Sequence, residues 1–97
     1  MSPDRSTIIA MIGKSKSDLM VKYDIFRIGI FGSVARGDAN EESDIDIVVE
    51  MVPDLFKRAS LKSELEELLH RSVDVVRYSK RMNPYLKQRI DKDALYV

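Results

Sequence analysis

FGSVARGDANEESDIDIVVE, Phe31 to Glu50, sets a Gly-Ser pair at one end and two aspartates separated by a single isoleucine at the other. The run leading into it, IFRIGIF (Ile25–Phe31), is short, β-branched and aromatic, and it stops at Gly32. That is the pattern of a buried strand ending in a turn. DIDIVVEMV, closed by Pro53, reads as a second strand. Side chains alternate along a strand, so Asp44 and Asp46 project from one face while Ile45 and Ile47 pack on the other. At roughly 7 Å or less, at an effective dielectric of about 20, the two carboxylates repel by about 2 kcal/mol, a cost that a divalent cation between them removes. Hard oxygen ligands on one rigid face suit Mg²⁺, which takes a few carboxylates and completes its shell with water and phosphate oxygens.

Gly32-Ser33 follows a strand and is placed to open a short helix, where glycine permits close backbone approach and unpaired N–H groups face outward to receive phosphate. Ser33 adds a hydroxyl donor. A phosphate-cradling turn, ten residues, and then a metal-binding pair describe a site for a nucleoside triphosphate with its metals. VDVVRY (Val73–Tyr78) reads as a third strand in which Asp74 is a charge among valines. If that strand lies beside the second, Asp74 joins Asp44 and Asp46. Two ions held by three carboxylates clamp the attacking and leaving oxygens of an in-line phosphoryl displacement.

Around this centre the chain reads as αβ(α)βαβα, a single domain over residues 1–97 with no repeat or linker. Ser2 before Pro3 has the form of a helix N-cap, followed by Ile8, Ile9, Ile12, Leu19 and Met20 at near-helical spacing. Leu61, Leu65, Leu68 and Leu69 make the apolar stripe of an amphipathic helix. Asn83-Pro84 caps a last helix with Leu86, Ile90 and Ala94 on one side. At 97 residues and 11.1 kDa there is room for one small core and none for a separate substrate-holding domain.

Sixteen Lys and Arg balance sixteen Asp and Glu, which argues against a strongly basic nucleic-acid footprint or a membrane-binding polybasic face. The charges are unevenly spread: Asp38, Glu41, Glu42, Asp44, Asp46, Glu50 and Asp54 form an acidic segment with no Lys or Arg, between two net-basic flanks. Such a segment calls for cations. The absence of cysteine excludes disulfides and thiolate metal sites. The start, MSPDRS, lacks the features of a signal peptide, and no apolar run approaches membrane-spanning length, so a soluble cytoplasmic protein is expected.

Gly32-Ser33, ten residues, Asp44-Ile45-Asp46 and then VDVV together resemble the polymerase-β-type nucleotidyltransferase superfamily. Small size and the ending NPYLKQRIDKDALYV resemble its minimal nucleotidyltransferase (MNT) antitoxins, with the likeness running from about Ile25 onward. The resemblance implies an α/β nucleotidyltransferase fold with a small mixed sheet packed against helices. It also implies a partner, a HEPN-class toxin, usually an RNase, silenced by transfer of AMP from ATP to a tyrosine, and so a hetero-oligomer with that toxin and no direct contact with nucleic acid. Carried onto this chain, Asp44 and Asp46 bind two Mg²⁺ ions, and Asp74 holds the catalytic one and helps deprotonate the acceptor. Gly32 and Ser33 hold the β,γ-phosphates. Arg36 and Gly37 complete the phosphate-side turn, Arg36 being equally able to pair with a nearby acid.

Each feature alone has a plainer reading: Gly-Ser as an ordinary turn, DID as a solvated strand face, Asp74 as an exposed residue. His70, the single histidine, suits a cation at a helix C-terminus better than catalysis. Tyr85, Leu95, Tyr96 and Val97 fit either core or a partner surface. Two functional alternatives to a transferring antitoxin stand beside it. One is a non-catalytic antitoxin acting by stoichiometric binding; the other is the catalytic subunit of a two-chain enzyme that modifies a small molecule.

Overall fold

The computed structural model describes residues 4–97. The elements in chain order are α1 (Arg5–Tyr23), β1 (Ile25–Phe31), α2 (Gly32–Arg36), β2 (Ile45–Met51), α3 (Leu55–Leu69), β3 (Val73–Arg77), α4 (Pro84–Asp93) and β4 (Leu95–Tyr96). The Ser2-Pro3 helix start lies outside the described residues; within them Asp4 is the N-cap of α1, accepting from Ser6 N at 2.9 Å. Asp54 caps α3 through Lys57 N at 3.0 Å. Asn83 caps α4 through Tyr85 N and Leu86 N, with Pro84 just inside, as its sequence signature requires.

The four strands lie in the order β3-β2-β1-β4. β1 runs antiparallel to both of its neighbours, whereas β2 and β3 are parallel, joined by the α3 crossover that parallel pairing requires. The sheet is therefore mixed, as the resemblance implied. β4 is an addition to the expected order. It is two residues long, and it packs so closely that a Cβ on Gly29 would meet Leu95 O at 2.7 Å.

Strand alternation divides the core between the two sheet faces. Ile28, Ile30, Ile45, Ile47, Val49 and Val73 bury one face against α1 (Ile8, Ile12, Leu19) and α3 (Leu61, Leu65, Leu69). Phe31 and Val48 on the other face close around Ile90 of α4 in a smaller cluster. Polar groups tie the helices on the first face: Tyr23 OH donates to Glu64 Oε1 at 2.7 Å and Lys22 Nζ donates to the same oxygen at 2.8 Å. α3 ends at His70, whose left-handed backbone (φ 55°) turns the chain while its N–H bonds Glu66 O. The helix is stopped by that backbone turn.

Candidate active site

The site is built where β1 ends. Gly32 follows Phe31 with φ +71°, in the left-handed region that favours glycine, and starts the one-and-a-half-turn helix α2. Gly37, at φ +82°, ends it, and the next N–H, that of Asp38, returns to Ser33 O at 3.0 Å. A Cβ on Gly32 would lie 2.3 Å from Oδ2 of Asp46. The turn and the carboxylate are thus in direct contact, and glycine is the residue that leaves room for both. Ser33, half-buried at the first turn of α2, makes no side-chain hydrogen bond with the described residues.

β2 and β3 bring the carboxylates together by register. Asp46 stands opposite Phe31 on one side and opposite Asp74 on the other, so the parallel β2–β3 pairing sets two aspartates side by side. Asp44 lies just before β2, where Ile45 N donates to Ser72 O at 3.0 Å and fixes the strand's entry. The loop leading to it is held from β3's side: Arg71 Nη2 donates to Ser43 O at 2.6 Å. Asp46 is half-buried, whereas Asp44 and Asp74 are exposed.

Burial pushes the Asp46 carboxyl above its ordinary value, and the neighbouring charges of Asp74 and Asp44 push it the same way. The charges of Arg89 in α4 and Arg36 in α2 oppose this. Arg36 itself is engaged. Its Nη1 donates to Asp93 Oδ2 at 2.8 Å and its Nε to Asp38 Oδ2 at 3.2 Å, so the turn is braced against α4.

Three carboxylates, no sulfur and a half-buried central acid fit a hard cation such as Mg²⁺ in kind. Among the described residues, no group of three His, Cys, Asp or Glu side chains converges closely enough to hold an ion. A groove of about 240 Å³, lined by Met51, Pro53, Leu55 and Arg58 among others, lies at the opposite end of β2. It belongs to a different surface from the aspartates.

The family described as polymerase beta, nucleotidyltransferase matches residues 14–97, which include every residue of this constellation. The chain belongs to that family. It is a nucleotidyltransferase of the minimal kind, with the polymerase-β-like fold, and the match reaches further into α1 than the motifs alone carried. A Methanocaldococcus jannaschii protein provisionally named a protein adenylyltransferase is 43% identical over 94 residues, covering 95% of this chain and 96% of its own. The Thermococcus cleftensis protein adenylyltransferase MntA is 39% identical over 90 residues, covering 91% of this chain and 86% of its own. A toxin–antitoxin structure with AMP-PNP matches at 28% identity and TM-score 0.73, over 90% of this chain and 69% of that one. A complex of tri-AMPylated Shewanella oneidensis HEPN toxin with its MNT antitoxin shares the fold at 24% identity and TM-score 0.67, over 95% of this chain and 70% of that one.

Two features of this nucleotidyltransferase were not readable from its motifs. Asp93, the partner of Arg36, is 57 residues away in sequence. Arg89 sits on a helix face whose direction only the packing of neighbouring Ile90 fixes.

Proposed function

We propose that this protein is an antitoxin that transfers AMP from ATP to a tyrosine of a HEPN-class RNase toxin, with Mg²⁺ as cofactor, in the cytoplasm, and with its single domain carrying the whole reaction. The observation that carries the reading is the contact of the Gly32 turn with Asp46, itself paired in register with Asp74. A triphosphate lying in that turn has its α-phosphorus beside the carboxylates. The adenylyltransferase names of the relatives and the toxin–antitoxin complex with AMP-PNP support the nucleotide and the kind of partner.

Gly32 and Ser33 hold the β,γ-phosphates through backbone N–H groups and a hydroxyl. Arg36, bound to Asp93 and Asp38, supports the turn and contributes positive charge beside the phosphates. Asp44, Asp46 and Asp74 are the ligands for Mg²⁺, which when bound neutralises charge on the transferred group. Asp74, exposed at the edge strand, is reachable by an incoming tyrosine and helps take its proton. The phenolic oxygen bonds to the α-phosphorus as the bond to the pyrophosphate oxygen breaks, so AMP is gained by the tyrosine and pyrophosphate leaves. Incubation with α-labelled ATP, Mg²⁺ and a HEPN-class partner tests this: label on a partner tyrosine by mass spectrometry is expected, and label on neither chain would contradict it.

A further inference from the structure

Five of the seven large apolar side chains exposed among the described residues gather at the end of the molecule away from the aspartates. Val21 is in the last turn of α1 and Phe26 at the irregularity where β1 opens, opposite the Glu50–Met51 step. Val52 follows β2, and Leu55 and Phe56 begin α3. Phe56 is 87% exposed and Leu55 73%. The ion pair between Lys57 and Asp24 joins the first turn of α3 to the α1–β1 connection. Nothing in the fold's own packing needs two nearly bare residues of this size at a helix start.

The groove at this end is lined by Met51, Pro53, Asp54, Leu55, Arg58 and Arg77. Asp54 is occupied as the α3 cap. Arg77 donates its Nε to Met51 O at 2.8 Å. Neither Arg58 nor Arg77 has an ion-pair partner among the described residues, whereas Lys22, Arg27 and Lys57 are each matched to an acid. The groove thus sets Met51, Pro53 and Leu55 beside two guanidinium groups with no ion-pair partner among the described residues. Arginine of this kind forks onto carboxylates.

We propose that this surface docks the protein that receives the nucleotide, taking from it an apolar side chain set beside a carboxylate: the apolar group enters the groove, and Arg58 and Arg77 bind the acid. The proposal rests on the transfer reading above. A second copy of this chain is the poorer occupant, since a two-fold pairing of identical surfaces would turn four unmatched arginines toward one another. Asp46 and Met51 are five residues apart along β2, so the dock lies roughly 17 Å from the carboxylates. Docking and transfer are then separable, and the partner is held at one end of the sheet while a tyrosine reaches the other.

The test is calorimetric titration of a purified HEPN-class partner into the wild-type protein, Phe56→Asp and Arg58→Glu. Each substitution is expected to weaken docking by about tenfold or more. The AMP-PNP-induced rise in melting temperature should stay unchanged, which shows the variants folded and the transfer site intact. Variants that dock as tightly as wild type overturn the proposal, and if the HEPN partner is nonetheless modified the transfer reading survives alone. Should AMP go to a protein of another class whose binding Phe56→Asp weakens, the surface stands and the HEPN assignment falls. A wild-type dimer abolished by Phe56→Asp in sedimentation, or pelleting with phosphatidylserine vesicles, would also overturn it by naming a different occupant.

Discussion

A Cβ on Gly32 would sit 2.3 Å from Oδ2 of Asp46, so the turn that opens α2 and the central carboxylate share one space. Gly32→Ala has two consequences. The left-handed backbone costs a side-chain-bearing residue about 1–2 kcal/mol, and the carboxylate must move. Thermal melting should show the first. Single-turnover transfer should fall by about 100-fold, the usual result of displacing a reacting group by an ångström. A variant that melts lower yet transfers at the wild-type rate would break the link between this contact and catalysis.

Asp46 should limit stability at neutral pH. Its carboxyl is pushed up in the fold, by burial first and then by Asp74 and Asp44, so the native state binds a proton more readily than the unfolded chain. That contribution is complete below the ordinary carboxylate range and is lost as pH rises through the raised value. Asp46→Asn should therefore melt higher than wild type at pH 7, with the gap closing as the solution is acidified. Mg²⁺ with ATP should stabilise wild type more than the variant. A pH-independent gap would remove the electrostatic explanation.

Arg36 and Asp93 can be separated by their variants. The pair joins α2 to α4 with Asp93 largely covered and Arg36 partly exposed, so Asp93→Asn should cost about 1 kcal/mol or less in chemical denaturation. It leaves the Arg36 charge beside the turn. If Arg36 serves the nucleotide, ATP affinity should fall in Arg36→Ala and hold in Asp93→Asn. Equal losses in the two would make Arg36 a brace alone.

Ser33→Ala should weaken ATP binding by about 1.5–3 kcal/mol, the range for a hydrogen bond to a charged group, with little change in melting temperature. Isothermal titration with AMP-PNP measures it directly. Nucleotide found covalently on Ser33 would instead make that residue a nucleophile.

β1 was legible to the residue, from Ile25 to Phe31, because a β-branched run met Gly32 with no competing helical pattern. β2 and β3 were legible to within one residue at each end for similar reasons. The placement of Asp74 beside Asp46 followed from expecting adjacent strands, and the parallel register supplies it. β4 was not legible. Two residues carry no period, and Leu95-Tyr96 are a strand only because Gly29 and Ile30 pair with them. Of the residues left open between core and surface, Tyr85 is exposed, Leu95 is marginally so, and Tyr96 and Val97 are partly buried. The Arg36–Asp93 pair and the apolar end of the molecule arise from contacts between distant segments, which no local pattern encodes.

The most direct measurement compares the wild-type protein with the double variant Asp44→Asn, Asp46→Asn, in a transfer assay with labelled ATP, Mg²⁺ and the toxin, alongside rescue of toxin-expressing cells at matched low expression. Asparagine keeps the shape and removes the charge, so the variant should fold and still dock. With no carboxylates to balance charge at the transferred phosphoryl group, transfer should drop by orders of magnitude and rescue should fail at low expression. Full rescue by the double variant, with no nucleotide on the toxin in either case, would contradict the enzymatic account and leave stoichiometric binding in its place.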